Sequence, residues 1–210
     1  MADDKDNKAQ VQLIMDLMIS EPVKRINFML GSMKIDGSGF MEVFNALREG
    51  RIKVGVGNIP ANAAASYDYT DNVFDLPRAN YGNGAFEKML IVHESVHAIQ
   101  DARGTYRPEC PSPTRATVTE YEAAAYVAMA FYYRYAMQTP LDSDNPTRSA
   151  KPVYKLGDAI AQKLLRSGKT VVPDDDVMEL RKAVAADQAY IDIGVKLDSL
   201  NFMNGIGPRR

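Results

Sequence analysis

Apolar positions follow two different rhythms along the chain. From Val11 they recur at Ile14, Met15, Met18 and Ile19, the three-to-four spacing of a helix with one buried stripe. Ser20-Glu21-Pro22 interrupts it. Proline removes a backbone donor, so the pattern predicts a break and then a helix resuming through Ile26, Met29 and Leu30. Asp36-Gly37-Ser38-Gly39 reads as a turn, and Phe40 to Leu47 as a short helix closed by Gly50. The rhythm then drops to two. Residues 52–56, 66–70 and 73–76 alternate as short strands, the last two joined through Asp71-Asn72 as a hairpin. Two long helices follow, one from Ala85 to about Arg103 and one from a cap at Thr117 or Thr119 to about Gln138. Two more are expected over Leu156–Arg166 and from Val177 to about Ala189. The second of these follows Asp174-Asp175-Asp176, acidic residues that suit a helix start. Polar, proline-bearing loops fill 105–117 and 140–152. Residues 1–9 are expected to be disordered and 201–210 to form a loose tail, flanking a single domain over 10–200. The fold class this predicts is α+β: a mostly helical single domain with a small sheet of two to four strands ahead of the Ala85–Arg103 helix.

Composition narrows the function. The 210 residues carry 25 Lys+Arg against 27 Asp+Glu, a net charge of −2 without the basic surplus of a general nucleic-acid binder. One cysteine, Cys110, leaves no internal disulfide and no multi-cysteine zinc site. No apolar run approaches the about 20 residues of a membrane span, and the acidic start Met-Ala-Asp-Asp-Lys-Asp is unlike a secretory leader. The expectation is a cytoplasmic protein without nucleic-acid or membrane partners, with signal-independent export left open. Oligomeric state does not follow from the sequence.

The chemistry concentrates at residues 93–97, His-Glu-Ser-Val-His. Four residues advance a helix by about 400°, so His93 and His97 stand one turn apart on one face, where both imidazoles reach a single zinc. Glu94 lies about 100° round from His93, placed to flank the metal and take a proton from a water that the metal activates. With two His and nine Glu in the chain, this pattern arises by accident in roughly one such sequence in a thousand. Both histidines are spent on it, in the interior of the clearest helix.

A catalytic zinc needs a third protein ligand, and no third histidine exists. The donor must be Asp, Glu or Cys110. The next helix offers Glu120 and Glu122 in Thr119-Glu120-Tyr121-Glu122-Ala123-Ala124-Ala125-Tyr126. Two residues apart, they point about 200° apart, so one at most faces the metal. The alanine run lets this helix approach the histidine helix closely.

At these residues the chain resembles the gluzincin branch of the zincin-like metallopeptidases, and within it small bacterial proteins of unassigned function. There the His-Glu-x-x-His helix precedes a second helix with a ligand glutamate in the pattern Glu-x-x-Ala/Ser-Asp/Asn, then an aromatic two residues on. Glu120, Ala123 and Tyr126 match it in this register, and the chain departs at Ala124, where the family carries an Asp or Asn supporting a ligand histidine. The resemblance covers roughly residues 64–135. It implies one zinc per chain on His93, His97 and Glu120, with Glu122 the alternative third ligand. It also implies Glu94 as general base, hydrolysis of a peptide or protein substrate, and a 67–76 hairpin serving as the edge strand for extended substrate. An oxyanion donor would come from among Tyr106, Tyr126, Tyr132, Tyr133, Arg103 and Arg107. A catalytically silent zinc protein and a helical interaction protein are the competing readings.

Overall fold

The computed structural model describes residues 4–59, 64–103, 116–138 and 151–199. Helix α1 (Asp4–Met18) starts inside the segment expected to be disordered. It buries Gln10, Ile14, Leu17 and Met18 along one face. Pro22 falls in the first turn of the one-turn helix α2 (Glu21–Lys24), where its missing donor costs nothing.

The helix expected through Ile26, Met29 and Leu30 is instead a hairpin, β1 (Asn27–Leu30) and β2 (Met33–Asp36), paired antiparallel with Leu30 opposite Met33. Burial decides the matter. Ile26, Phe28 and Leu30 are fully buried at a period of two, and Gly31 supplies the positive φ of +56° that a two-residue turn requires. The outer edge of β1 is covered, because Met29 exchanges backbone hydrogen bonds with Thr170 and Val172.

The Asp36–Gly39 turn is the cap and first turn of α3 (Gly37–Arg48), with Asp36 Oδ1 accepting from the Gly39 amide at 3.1 Å. A β-carbon on Gly39 would stand 2.9 Å from Ile99 Cγ2, so glycine is what lets α3 close on the next long helix. Three strands follow as expected, β3 (Lys53–Val56), β4 (Ser66–Asp68) and β5 (Val73–Leu76). Their order is β3-β5-β4, with β3 parallel and β4 antiparallel to β5. The described strands therefore form two small sheets of two and three strands rather than one.

Helix α4 (Ala85–Arg103) matches its predicted bounds and is buried almost all round. It packs along α5 (Val118–Met137), whose run Ala123–Ala130 has no exposed side chain. Short alanines bring the two axes close, which places short carboxylate arms within reach of the histidines. On the far side α5 meets α6 (Pro152–Ser167), where a β-carbon on Gly157 would stand 2.9 Å from the Tyr126 carbonyl. Arg134 and Asp158 lock the pair with two parallel hydrogen bonds of 2.6 Å. Helix α7 (Asp174–Ala186) begins at the three aspartates, and the chain breaks at Asp187 before the one-turn helix α8 (Gln188–Ile191). The expectations for Cys110, Tyr106, Arg107 and the loose tail fall outside the described residues. No described helix is long and apolar enough to cross a membrane.

Candidate metal centre

His93 and His97 project from one face of α4 with ring centroids 5.0 Å apart and planes near perpendicular. Between them comes the Glu122 carboxylate from the first turns of α5. Its Oε2 lies 3.2 Å from His93 Nε2 and its Oε1 3.4 Å from His97 Nε2. One ligand atom from each of the three residues lies within 4.8 Å of the others.

Glu120, expected as the third ligand, does not join them in this structure; the group that converges includes Glu122, the alternative. Thr117 caps α5, and Glu120 Oε2 reaches back to accept from the Thr117 amide at 2.7 Å, while the Glu120 amide bonds Thr117 Oγ1. Its other oxygen lies 3.4 Å from Arg181 Nη1. Thr117-Val-Thr-Glu120 is thus a capping box, and that four-residue signature was the available signal. Glu122 sits four residues before Tyr126 and seven before Met129, in phase with the buried face of α5.

Does this set fit a zinc ion? In a tetrahedral site with bonds of about 2.05 Å, adjacent donor atoms stand about 3.3 Å apart. Each imidazole stands about that far from one Glu122 oxygen, His93 Nε2 3.2 Å from Oε2 and His97 Nε2 3.4 Å from Oε1; one ligand atom from each residue lies within 4.8 Å of the others, and two imidazoles with one carboxylate are ligands zinc accepts. His97 is also set in the right tautomer. Gln100 donates its amide to the Tyr121 carbonyl at 2.9 Å, which turns Gln100 Oε1 toward His97 Nδ1, also at 2.9 Å. An acceptor there holds the proton on Nδ1 and leaves Nε2 as the ligand atom. Gln100 thus supplies the acceptor to His97 Nδ1 from within α4 itself. Its signal was a polar residue about one turn after His97, on the same face of the helix. His93 Nδ1, by contrast, is buried without a hydrogen-bond partner, and the His93 ring is held edge-on by Tyr126 at 4.8 Å.

Electrostatics separate the carboxyls. Burial raises the Glu94 carboxyl above its ordinary range, only partly countered by His93 and His97. Glu94 Oε2 accepts the Tyr67 backbone N–H of β4 at 2.9 Å. Burial acts on Glu122 in the same sense, but the two imidazoles outweigh it and hold that carboxyl well below the usual range. His97 is disfavoured as a cation by burial. Glu122, Glu94 and Gln100 overcome this and raise it to about 9.

Among the candidate oxyanion donors, Tyr126 packs its ring against His93. Tyr132 and Tyr133 are core residues, and Arg103 is engaged with Asp36, Ser38, Glu42 and the Lys34 carbonyl. The hydroxyl that does reach the cluster belongs to Tyr190 of α8, 2.6 Å from Glu122 Oε2. It lies 68 positions from its partner in sequence, and no local pattern announces it.

No protein-family model matches the chain, and no curated protein or solved structure matches it either. The site is therefore read from its own geometry.

Proposed function

We propose that this chain is a zinc-dependent metallopeptidase whose ligands are His93, His97 and Glu122. The observation that carries the reading is the convergence of those three donors beside a buried carboxyl, Glu94, on the next residue of the same helix. A bound zinc would supply Lewis-acid polarisation of a carbonyl and acidify a water. Glu94, raised toward neutrality by burial, is suited to accept a proton from the attacking water and return it to the leaving amine. Its bond to the Tyr67 amide fixes the carboxyl's orientation, so one oxygen is anchored and the other serves the proton transfer.

The substrate reading follows from β4. This strand lies at the edge of its sheet, and its middle residue bonds the proposed base through the backbone. An extended peptide adding along that edge would bring its backbone past Glu94, a mode in which main-chain hydrogen bonds give affinity.

Elemental analysis of purified full-length chain, followed by a peptidase screen with Glu94→Gln as control, tests the reading. We expect about one zinc per chain, hydrolysis by the native protein and loss of turnover in Glu94→Gln with zinc retained. A chain that takes up no zinc defeats the reading. Zinc with no turnover in the native protein, or turnover unchanged in Glu94→Gln, defeats its catalytic half.

A further inference from the structure

The geometry points to Tyr190 as a positioning residue for Glu122, so that the metal centre is completed by the C-terminal segment as well as by α4 and α5; this rests on the metal-centre reading above. A carboxylate only accepts, so the 2.6 Å contact carries the Tyr190 proton toward Glu122 Oε2. The Tyr190 oxygen is then free to accept, and Tyr126 Oη stands 3.2 Å away as the donor. The order is therefore Tyr126 to Tyr190 to Glu122, a short chain ending on a charge, in which each bond strengthens the next. It terminates on the oxygen that stands 3.2 Å from His93 Nε2. Tyr126 also packs its ring against His93. The tyrosine pair thus braces the His93–Glu122 side of the cluster, where His93 Nδ1 has no polar partner of its own.

The segment that delivers Tyr190 is tied at both ends. Asp187 caps α8 through the Ala189 amide and receives Lys151 Nζ at 3.1 Å on both oxygens. Farther on, the Leu197 carbonyl accepts from Thr119 Oγ1 and Arg181 Nη2, and the Ser199 carbonyl accepts the Val118 amide at 2.7 Å. Residues 187–199 are therefore fastened beside α6 at one end and to the start of α5 at the other. Tyr190 is held between side-chain and backbone anchors that do not involve the site, as a group meant to orient another must be.

The test is zinc affinity of the full chain by competition with a chromophoric chelator, together with the visible spectrum of the cobalt-substituted protein. Tyr190→Phe keeps the ring and removes only the hydroxyl. We expect it to weaken zinc about 10- to 100-fold and to alter the cobalt bands. Tyr126→Phe leaves the Tyr190 donor in place and should lose less, about threefold, as expected if it acts through Tyr190. A role confined to folding would lower the melting temperature of the metal-free variant while leaving affinity and cobalt bands unchanged, and that result overturns the inference. A phenolate-to-metal charge-transfer band in the copper-substituted native protein, absent from Tyr190→Phe, would make Tyr190 a ligand and also overturn it. Failure of the native chain to bind zinc is a separate control, and it defeats the metal-centre reading itself.

Discussion

The two histidines stand one helical turn apart, yet they are held by different parts of the molecule. His97 is held locally. Gln100, on the same helix, fixes its tautomer and is itself fixed by the backbone of α5. His93 has no such partner, and depends on the ring of Tyr126 and on a carboxylate held by Tyr190 from the far end of the chain. Two histidines one helical turn apart can thus rest on unequal support. The local half draws on α4 and α5 alone, whereas the other half also draws on Tyr190 from residues 187–199. Variants on each side should separate the two.

The largest effect should come from the carboxylate common to both halves. Glu122→Ala removes the carboxylate whose two oxygens face the two imidazoles, and zinc content should fall below detection, as it should for His93→Ala and His97→Ala. Zinc retained in Glu122→Ala but lost in Glu120→Ala would restore the family register and overturn the one described here. The proposed base comes next. Glu94→Gln keeps the volume and the contact with β4, so zinc should remain while turnover drops by about 10²- to 10⁴-fold.

Gln100→Ala probes the local half alone. Removing the acceptor from His97 Nδ1 should weaken zinc by about 10- to 100-fold, comparable to Tyr190→Phe on the other side. The double variant sharpens the comparison. If the halves are independent, the two losses multiply; if Glu122 transmits strain between them, the double variant loses less than the product.

Proton competition gives a further handle on the His97 side. In metal-free protein burial disfavours the His97 cation, but Glu122, Glu94 and Gln100 outweigh it and raise the group from its ordinary 6.5 to about 9. Its contribution to stability is therefore full below about 6.5 and lost as pH rises through about 9. Glu122, depressed by the imidazoles, contributes above its ordinary 4.5 and loses that contribution as pH falls. Chelator-treated protein should accordingly melt highest between roughly pH 5 and 6.5 and lower at pH 9.5. Zinc must displace the His97 proton, so its affinity should climb with pH up to about 9. A melting temperature of the metal-free chain that rises from pH 6.5 to 9.5 would contradict the His97–Glu122 pairing.

How much of this was legible in the sequence depends on how far apart in the chain the cooperating residues lie. Helix α4 and the motif on it were readable because a single helix holds His93, Glu94 and His97, and helical spacing alone sets their geometry. The β4–β5 hairpin was readable from alternation. The β1–β2 hairpin was not. Ile26, Met29 and Leu30 satisfy helical spacing as well, and what decides for strands is tertiary: burial of Phe28 against Phe131, and Val172 pairing with Met29 from 143 positions downstream. The choice between Glu120 and Glu122 was readable in principle from the capping box, since a glutamate spent on Thr117 cannot also reach the metal. Tyr190 was beyond reach, because its meeting with Glu122 is fixed by how the C-terminal segment is tied down.

The smallest effect is the one that tests that capping assignment. Glu120→Ala breaks the return bond to the Thr117 amide and the contact with Arg181, but leaves Thr117 Oγ1 capping the Glu120-position amide. Half of a reciprocal cap costs about 1 kcal/mol, which in a chain of this size lowers the melting temperature by about 2–4 °C. Arg181 loses one of two carboxylate partners while keeping Asp198, Thr119 Oγ1 and the Leu197 carbonyl, so residues 197–199 should stay attached. Zinc affinity should then remain within about twofold of the native value, because Glu122, Gln100 and Tyr190 are untouched. A small loss of stability with full zinc content would show that two carboxylates two residues apart, on either side of Tyr121, serve different ends, Glu120 the start of the helix and Glu122 the metal. A loss of affinity as large as that of Tyr190→Phe would mean instead that the start of α5 and the anchored C-terminal segment move as one body, and that the support of His93 reaches back through Arg181 to the cap.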